Sequence, residues 1–370
     1  MDEAILRALC DNLNVRGGSI PAMACPQMFE LLDELFTLEE AEVACKMPAA
    51  AVSARDLSES LGRPIEEILP LLESMADKAT VVSRTKDGVV LYKLMPIMPG
   101  IFEFQFMRGA KTERDRRLAK LFRRYLNLAE AETEKAIPIP KDVTPFMRVL
   151  PVERTIEVAP QVYTFEQLSK YIDSADAISV GHCYCRHEAY LLGEELCDTP
   201  VECCMSFGPG AEYTAERGIA RAVTKQEARE ILERCEKSGL VHMSSNTTKY
   251  LEFICNCCGC HCGVLKKLNE MGRPVWSATS GYQARVREET CDGCGTCEEY
   301  CQMKAVSLSD DGVSVIDEIR CIGCGICASL CPSEAISMEL REEIPNPPET
   351  PKDLRTAIMK DFQRAMSKQK

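Results

Sequence analysis

Apolar positions recur at helical spacing through the first hundred residues. Phe29, Leu32, Leu35 and Phe36 make one stripe, with the three-and-four spacing of a single helix face. Thr37 and Glu40 stand as a capping box opening the next helix, which Pro48 stops. Ser53 with Asp56 opens another, with Leu57 and Leu61 on one face and Gly62 as its breaker. Pro64 stands where a first helical turn tolerates proline, and Ile68, Leu71, Leu72 and Met75 form the following stripe. The pattern then changes. Thr80–Ser83 and Val89–Leu94 flank Asp87–Gly88, which predicts a hairpin.

Two short helices, a third helix and a hairpin resemble a winged-helix domain in their order, so residues 1–135 read as a winged-helix-like helical domain. In DNA-binding members the third helix enters the major groove and carries cations. Here that segment holds Glu66, Glu67, Glu73 and Asp77 against Arg63 and Lys78, a balance that repels phosphate. A protein-interaction or structural role is expected instead. Residues 108–124 are basic (Arg108, Lys111, Arg114, Arg116, Arg117, Lys120, Arg123 and Arg124), with Leu118, Leu121, Phe122 and Tyr125 as the buried face. This reads as a solvated helix face ahead of a docking patch. Pro138, Pro140, Pro145 and Pro151 mark the linker out of this domain.

Residues 152–285 read as a second, cysteine-rich domain. Within it Thr164–Tyr171 predicts a helix, Ala177–Val180 a short strand, and Thr224 with Glu227 the cap of a helix running to Lys237 before Gly239. Residues 286–345 form a further module, and residues 346–370 a proline spacer and an amphipathic tail helix. In that tail Leu354, Ile358, Phe362 and Met366 recur every fourth position, and six Lys or Arg stand against two Asp. Docking on a partner subunit is expected ahead of packing on the chain's own acidic module at residues 286–345, because the spacer after Pro345 gives the helix reach.

Composition narrows the chemistry. Of 370 residues 22 are Cys, a density that means disulfides, zinc or iron–sulfur clusters. The N-terminus is acidic, and no apolar stretch reaches the roughly 18 residues a membrane span needs. A cytoplasmic location is therefore expected, where thiols stay reduced and dense cysteines bind metal. The net charge of −13 argues against nucleic acid and anionic membranes, and suits docking on the basic face of a redox partner protein.

The strongest signal is a repeat with a period of 30 residues. Cys291, Cys294, Cys297 and Cys301 stand at C-x2-C-x2-C-x3-C, as do Cys321, Cys324, Cys327 and Cys331. A small apolar pair follows each run, Ala305–Val306 and Ala335–Ile336. Gly293, Gly295, Gly323 and Gly325 allow tight folding around a cube, and Pro332 follows the last cysteine. Zinc ribbons also use C-x2-C pairs, yet zinc has no use for a third cysteine at x2.

These runs resemble the bacterial-type two-[4Fe–4S] ferredoxins, which implies a ferredoxin-like βαββαβ fold for the C-terminal module. In that family the fourth cysteine of each run ligates the other cluster. The resemblance implies Cys291, Cys294, Cys297 and Cys331 on one cluster, and Cys321, Cys324, Cys327 and Cys301 on the second. One departure is Gln302, which replaces the proline common after the fourth cysteine; it leaves ligation intact but alters local hydration and potential. From Glu288 to Glu343 there are 13 acidic residues against Lys304, Arg320 and Arg341, so low potentials are expected.

Ten further cysteines fall into two groups. The first holds Cys183, Cys185, Cys197, Cys203 and Cys204, the second Cys255, Cys257, Cys258, Cys260 and Cys262. Spacings of x2 and x3 suit ligands of one cube, so Cys255, Cys258 and Cys262 read as one register and Cys257 with Cys260 as another. That reading gives two metal centres sharing one loop, completed from the first group. One or two additional iron–sulfur clusters are expected there, with a zinc site or a thiol redox site as alternatives. His182, His187 and His261 are expected to donate hydrogen bonds rather than to ligate. Cys10, Cys25, Cys45 and Cys235 read as isolated buried thiols. The Cys257–Cys258–Gly259 step resembles the CCG motif of heterodisulfide-reductase-type subunits, although those carry two such motifs. The whole chain looks like multi-cluster ferredoxin-domain proteins of anaerobic bacteria.

The expectation is thus an α+β, multidomain electron-transfer protein or oxidoreductase subunit, with a redox partner protein, no membrane span and no catalytic residue of its own. Two other classes stay open: a redox-responsive regulator using the front domain, and a reductase with a special cluster in the middle domain.

Overall fold

The computed structural model describes residues 1–136, 143–156, 166–271, 277–342 and 346–367. It is mixed α+β and divides into two compact units. The first comprises Met1–Pro138 together with His187–Glu195 and Glu212–Arg221.

In the first unit α1 (Glu3–Val15), α2 (Pro26–Leu35) and α3 (Leu38–Ala44) precede β1 (Val52–Ser53), α4 (Ala54–Leu61), α5 (Ile65–Asp77), β2 (Val81–Lys86) and β3 (Val89–Leu94). The expected caps are present. Glu40 N donates to Thr37 Oγ1 at 3.3 Å, and Thr37 N to Glu40 Oε2 at 2.8 Å. Asp56 N donates to Ser53 Oγ at 3.1 Å, and Gly62 closes α4 in the left-handed region. Pro64 differs from expectation: its ψ of 143° is not helical, so it stands as the N-cap and α5 begins after it. The hairpin pairs Lys86 with Val89 across Asp87–Gly88, and β1 adds to β3 in a sheet of order β1-β3-β2.

Helices α6 (Phe102–Met107) and α7 (Glu113–Ala136) complete this unit, burying Phe106, Leu118, Phe122 and Tyr125. The basic face of α7 is solvent-facing, as expected, and carries ion pairs. Arg117 pairs with Glu34, Arg124 with Glu30, and Arg123 with Glu188 and Glu194, all in the same unit. The acidic face of α5 is engaged in the same way, since Arg217 bonds Glu73 at 2.7 Å and Asp77 at 2.8 Å.

After α7 the chain forms β4 (Met147–Leu150), α8 (Leu168–Ser174), β5 (Ile178–His182), α9 (Tyr184–Leu191), β6 (Glu202–Phe207), α10 (Pro209–Glu216), β7 (Arg221–Ala222), α11 (Lys225–Lys237), β8 (Val241–Ser245), β9 (Phe253–Cys257), α12 (Gly263–Met271) and β10 (Ser277–Ala278), all in the second unit except α9 from His187, α10 from Glu212 and Arg221 of β7, which belong to the first. Their seven-stranded sheet has the order β10-β4-β8-β9-β6-β5-β7. Strand β4 lies inside the stretch read as a linker, between Pro145 and Pro151, and pairs antiparallel with β8. A proline on each side leaves a four-residue strand its ladder donors. Pro138, Pro140 and Thr164 lie outside the described residues. Thr224 caps α11 as expected, with Glu227 N 3.1 Å from its hydroxyl.

Then follow β11 (Tyr282–Val286), α13 (Thr296–Glu299), β12 (Val306–Leu308), β13 (Ser314–Ile316), α14 (Ile326–Leu330) and β14 (Ile336–Leu340). Strand β11 pairs antiparallel with β14, and β12 with β13. The tail helix α15 (Pro351–Ser367) makes contacts within its own unit. Asp361 accepts from Thr144 N at 2.9 Å and from its hydroxyl at 2.6 Å, and Leu354 is buried. The spacer is held too, with Thr248 N bonding Pro348 O at 3.1 Å. The side chains of Phe362 and Met366, and residues Pro345, Lys368 and Lys370, lie outside the described residues. Among the described residues no helix is long and apolar enough to cross a membrane.

Glu40 is the most heavily engaged buried carboxylate of the first unit, only 1% exposed and bonded to Lys78 Nζ at 2.7 Å and Ser74 Oγ at 2.6 Å. Burial pushes its pKa up, but the hydrogen bonds from Lys78, Ser74 and Thr37 win and hold it below the usual 4.5. A depressed folded pKa adds stability above the unfolded value and loses it as pH falls through the folded one. Glu40→Ala should therefore cost about 2 kcal/mol near neutrality, Lys78 recovering some hydration. In Glu40→Gln the acid-side loss of stability should be smaller than in the parent chain, read by urea unfolding at a series of pH values.

Candidate metal centres

The two ferredoxin-type runs occupy equivalent positions. Cys297 sits in α13 and Cys327 in α14, each helix opening from a left-handed glycine, Gly295 or Gly325. After each run the same amide points at a thiol: Ala305 N donates to Cys301 Sγ at 3.2 Å, and Ala335 N to Cys331 Sγ at 3.3 Å. The apolar pair after each run therefore supplies a donor to sulfur and then starts a strand.

Cys301 and the three cysteines Cys321, Cys324 and Cys327 line one small cavity walled by Ile322, Ile326 and Met338. Gly323 shapes its rim at φ +71°, where a Cβ would overlap the Tyr282 carbonyl and the Ser280 hydroxyl. Burial pushes the Cys324 thiol up to about 12 and raises Cys301 and Cys327 as well. Around the other run Ser314 is the neighbour, its Oγ 3.0 Å from Cys297 Sγ and 3.7 Å from Cys291 Sγ. Backbone hydrogen bonds from Ser314 and Gly293 lower the Cys291 pKa. Cys297 is buried and Cys294 exposed, so this end of the module meets solvent. Cys331 caps α14, with Ser333 Oγ 3.6 Å from its sulfur. An all-thiol donor set, amides aimed at sulfur and a cavity bordered by four cysteines fit cubane clusters.

Sequence reasoning had no signal for Ser314, which lies 17 residues beyond Cys297 and reaches it only through the β12–β13 hairpin.

The ten cysteines of the middle region separate into two sites, divided differently from the expected registers. In the deeper one the Cys183 thiol lies beside those of Cys185, Cys203 and Cys204. Cys262 neighbours Cys185 and Cys257, and Cys255 neighbours Cys204 and Cys257. These seven thiols form one continuous group, all buried but Cys185. The reason is strand geometry. Residues two apart on a strand share a face, so Cys255 and Cys257 of β9 point the same way, toward Cys204 of the neighbouring β6. Cys235 of α11 is not isolated, since it lies beside Cys203.

One buried cation serves this group. Arg186 is 0% exposed, and its Nη2 donates to Cys203 Sγ at 2.8 Å. Burial alone would lower its pKa, but the thiols of Cys183 and Cys203 raise it well above the usual value. Tyr184 OH lies 3.7 Å from Cys255 Sγ. The shallower site joins Cys197, Cys258, Cys260 and His261, whose four ligand atoms all lie within 4.8 Å of one another.

His187 bonds the Ala110 carbonyl at 2.7 Å in the first unit. The unforeseen histidine is His242, buried between Asn256 Oδ1 at 2.6 Å and Glu236 Oε1 at 3.2 Å. Of the thiols in the first unit, burial pushes Cys10 up to about 12 and Cys45 to about 11, while Cys25 is half-buried.

Gln302 joins the ferredoxin stretch to the cysteine loop. Its Oε1 accepts from Gly259 N at 2.6 Å, and its carbonyl accepts from Asn269 Nδ2 at 2.8 Å. A Cβ at Gly259 would stand 2.5 Å from the Gln302 carbonyl oxygen, so glycine is required between Cys258 and Cys260.

Comparison with known proteins agrees with the ferredoxin-like geometry. Residues 284–338 match the family described as the 4Fe-4S dicluster domain. Over 35 residues the chain is 46% identical to a "Probable ferredoxin" of Methanosarcina thermophila, covering 10% of this chain and 60% of that protein. The chain thus spans less than two thirds of that relative. No solved structure matches. The chain contains a [4Fe–4S] ferredoxin-type domain, and its cofactors are of the [4Fe–4S] kind.

A hydroxyl donated to a ligating thiolate favours the reduced cluster. Ser314→Ala should make the potential of the cluster at Cys291, Cys294 and Cys297 more negative by roughly 40 mV, the one-electron equivalent of about 1 kcal/mol. Redox titration followed by EPR measures it; the signal tied to Cys321, Cys324 and Cys327 should not move.

Proposed function

We propose that this chain is an electron-transfer protein, or a subunit of an oxidoreductase, that relays low-potential electrons through two ferredoxin-type [4Fe–4S] clusters to a partner. The observation that carries this reading is the cavity shared by Cys301 with Cys321, Cys324 and Cys327. It supports crossed ligation, with Cys331 completing the set of Cys291, Cys294 and Cys297. When bound, such clusters supply one-electron storage without an open coordination position for substrate.

The chain's own residues give the relay its two ends. Exposed Cys294 makes the first set the outward face. Gln302 ties Cys301, on the other set, to the loop of Cys258 and Cys260. The seven thiols around Arg186, six of them buried, suit at least one further iron–sulfur cluster, and a reductase centre at this pocket is the second reading, favoured by the buried cation. The finer architecture belongs to the same proposal: a winged-helix-type front unit, supported by the β2–β3 hairpin after α4 and α5 and by β1 that joins it from before α4, and a ferredoxin-like module. The Glu73 and Asp77 pairs with Arg217 weigh against a DNA-reading helix, hence against the regulator. A cytoplasmic setting and a basic partner surface suit the acidic charge.

Cys301→Ser should damage the cluster of Cys321, Cys324 and Cys327 and spare the one beside its own run. EPR of the anaerobically purified full chain reads this directly, and loss of the Ser314-sensitive signal instead would reverse the assignment.

A further inference from the structure

From the geometry of the shallower site we propose that Cys197, Cys258, Cys260 and His261 bind a single zinc ion, separate from every iron–sulfur centre of the chain, with His261 as a direct ligand. The distances carry this. His261 Nδ1 lies 3.1 Å from Cys260 Sγ and 4.0 Å from both Cys197 Sγ and Cys258 Sγ. Tetrahedral zinc, with Zn–S about 2.3 Å and Zn–N about 2.0–2.1 Å, sets sulfur and nitrogen about 3.5 Å apart, in the middle of that range. A cubane spreads its four thiolates wider, because each one binds a different iron. Four ligand atoms within 4.8 Å of one another suit one ion better than four.

Local structure explains how the ligands meet. Residues 259–261 form a turn between β9 and α12, which brings Cys258, Cys260 and His261 round one point. Cys197 arrives from the loop before β6, with Thr199 Oγ1 3.3 Å from its sulfur. The partition follows from strand geometry: β9 ends at Cys257, so Cys255 and Cys257 keep to one strand face while Cys258 leaves it. Three sulfurs and one imidazole are a soft, four-coordinate set with no open position, the donor pattern of structural zinc. Cys258 is buried, Cys197 and His261 half-buried and Cys260 exposed, so the ion would sit near the surface of the loop that Gly259 fastens to Gln302.

That placement gives the ion a role. It would pin the turn on both sides of Gly259, and so hold the amide that Gln302 accepts from. Zinc does not change oxidation state, so the turn would keep one geometry whatever the charge of the iron centres.

The test uses the full chain, purified anaerobically, with zinc, iron and sulfide measured on the same sample and X-ray absorption recorded at the zinc edge. About one zinc per chain is expected, with three sulfur neighbours and one nitrogen. Cys260→Ser should lose that zinc and keep the parent's iron and sulfide. His261→Cys should retain zinc with a fourth sulfur replacing the nitrogen, which shows direct ligation even if Cys260→Ser folds poorly. Parent chain without zinc, zinc unchanged in Cys260→Ser, or iron lost from His261→Cys in step with cluster signals would each overturn the proposal. Failure of the relay reading looks different: parent chain lacking ferredoxin-type iron and sulfide while the zinc stays in place.

Discussion

The side chain of Gln302 is the contact on which the second unit's arrangement turns. It follows Cys301 directly, and its carboxamide accepts the Gly259 amide at 2.6 Å. Asn269 of α12 closes on the Gln302 carbonyl at 2.8 Å and also accepts from Arg320 Nη2 at 3.3 Å. Arg320 in turn donates to the Met303 carbonyl at 3.1 Å. A proline at 302 would have no side-chain amide, so the substitution that looked like a local departure supplies the join between two cysteine-rich regions.

Charge sets the other constraint. Thiolates brought together in a buried space need compensation, because an unpaired buried charge is costly. The two regions solve this in different ways. The ferredoxin stretch uses backbone and hydroxyl donors, the amides of Ala305 and Ala335 and the Ser314 hydroxyl. The deeper middle pocket uses the whole guanidinium of Arg186, itself held by Cys203 and Thr199. Amide and hydroxyl donors spread the compensation over many weak dipoles, whereas a guanidinium concentrates it at one point of the middle pocket.

Much of this was legible in the sequence where local rules govern. The Thr37–Glu40 and Thr224–Glu227 caps, the Asp87–Gly88 hairpin and the paired cysteine runs depend on neighbours a few residues apart. What failed to show was tertiary. Strand β4 hid between Pro145 and Pro151 because a four-residue strand carries little periodic signal. The tail stripe at Leu354 and Ile358 announced a helix needing a surface, yet nothing in it named Thr144, more than two hundred residues away, as the anchor for Asp361. In the middle region the cysteines were sorted by cube-edge spacing alone, when strand periodicity decided which thiols faced each other. Cys255 and Cys257, set apart by spacing, share a face.

Strand periodicity and turn geometry together also account for the separation of two thiol groups within one short loop. Along β9 the two-residue repeat keeps Cys255 and Cys257 directed into the pocket with Cys204. Past Cys257 the backbone leaves the strand, and the next thiols fall round His261 instead. A chain of consecutive cysteines in one conformation would crowd its sulfurs toward a single centre and leave metal choice to affinity, which follows the general order of divalent ions. Changing conformation at Cys257–Cys258 instead gives two side-chain groups of different spread, on which the zinc proposal rests, and the Gly259–Gln302 contact holds the point where they divide.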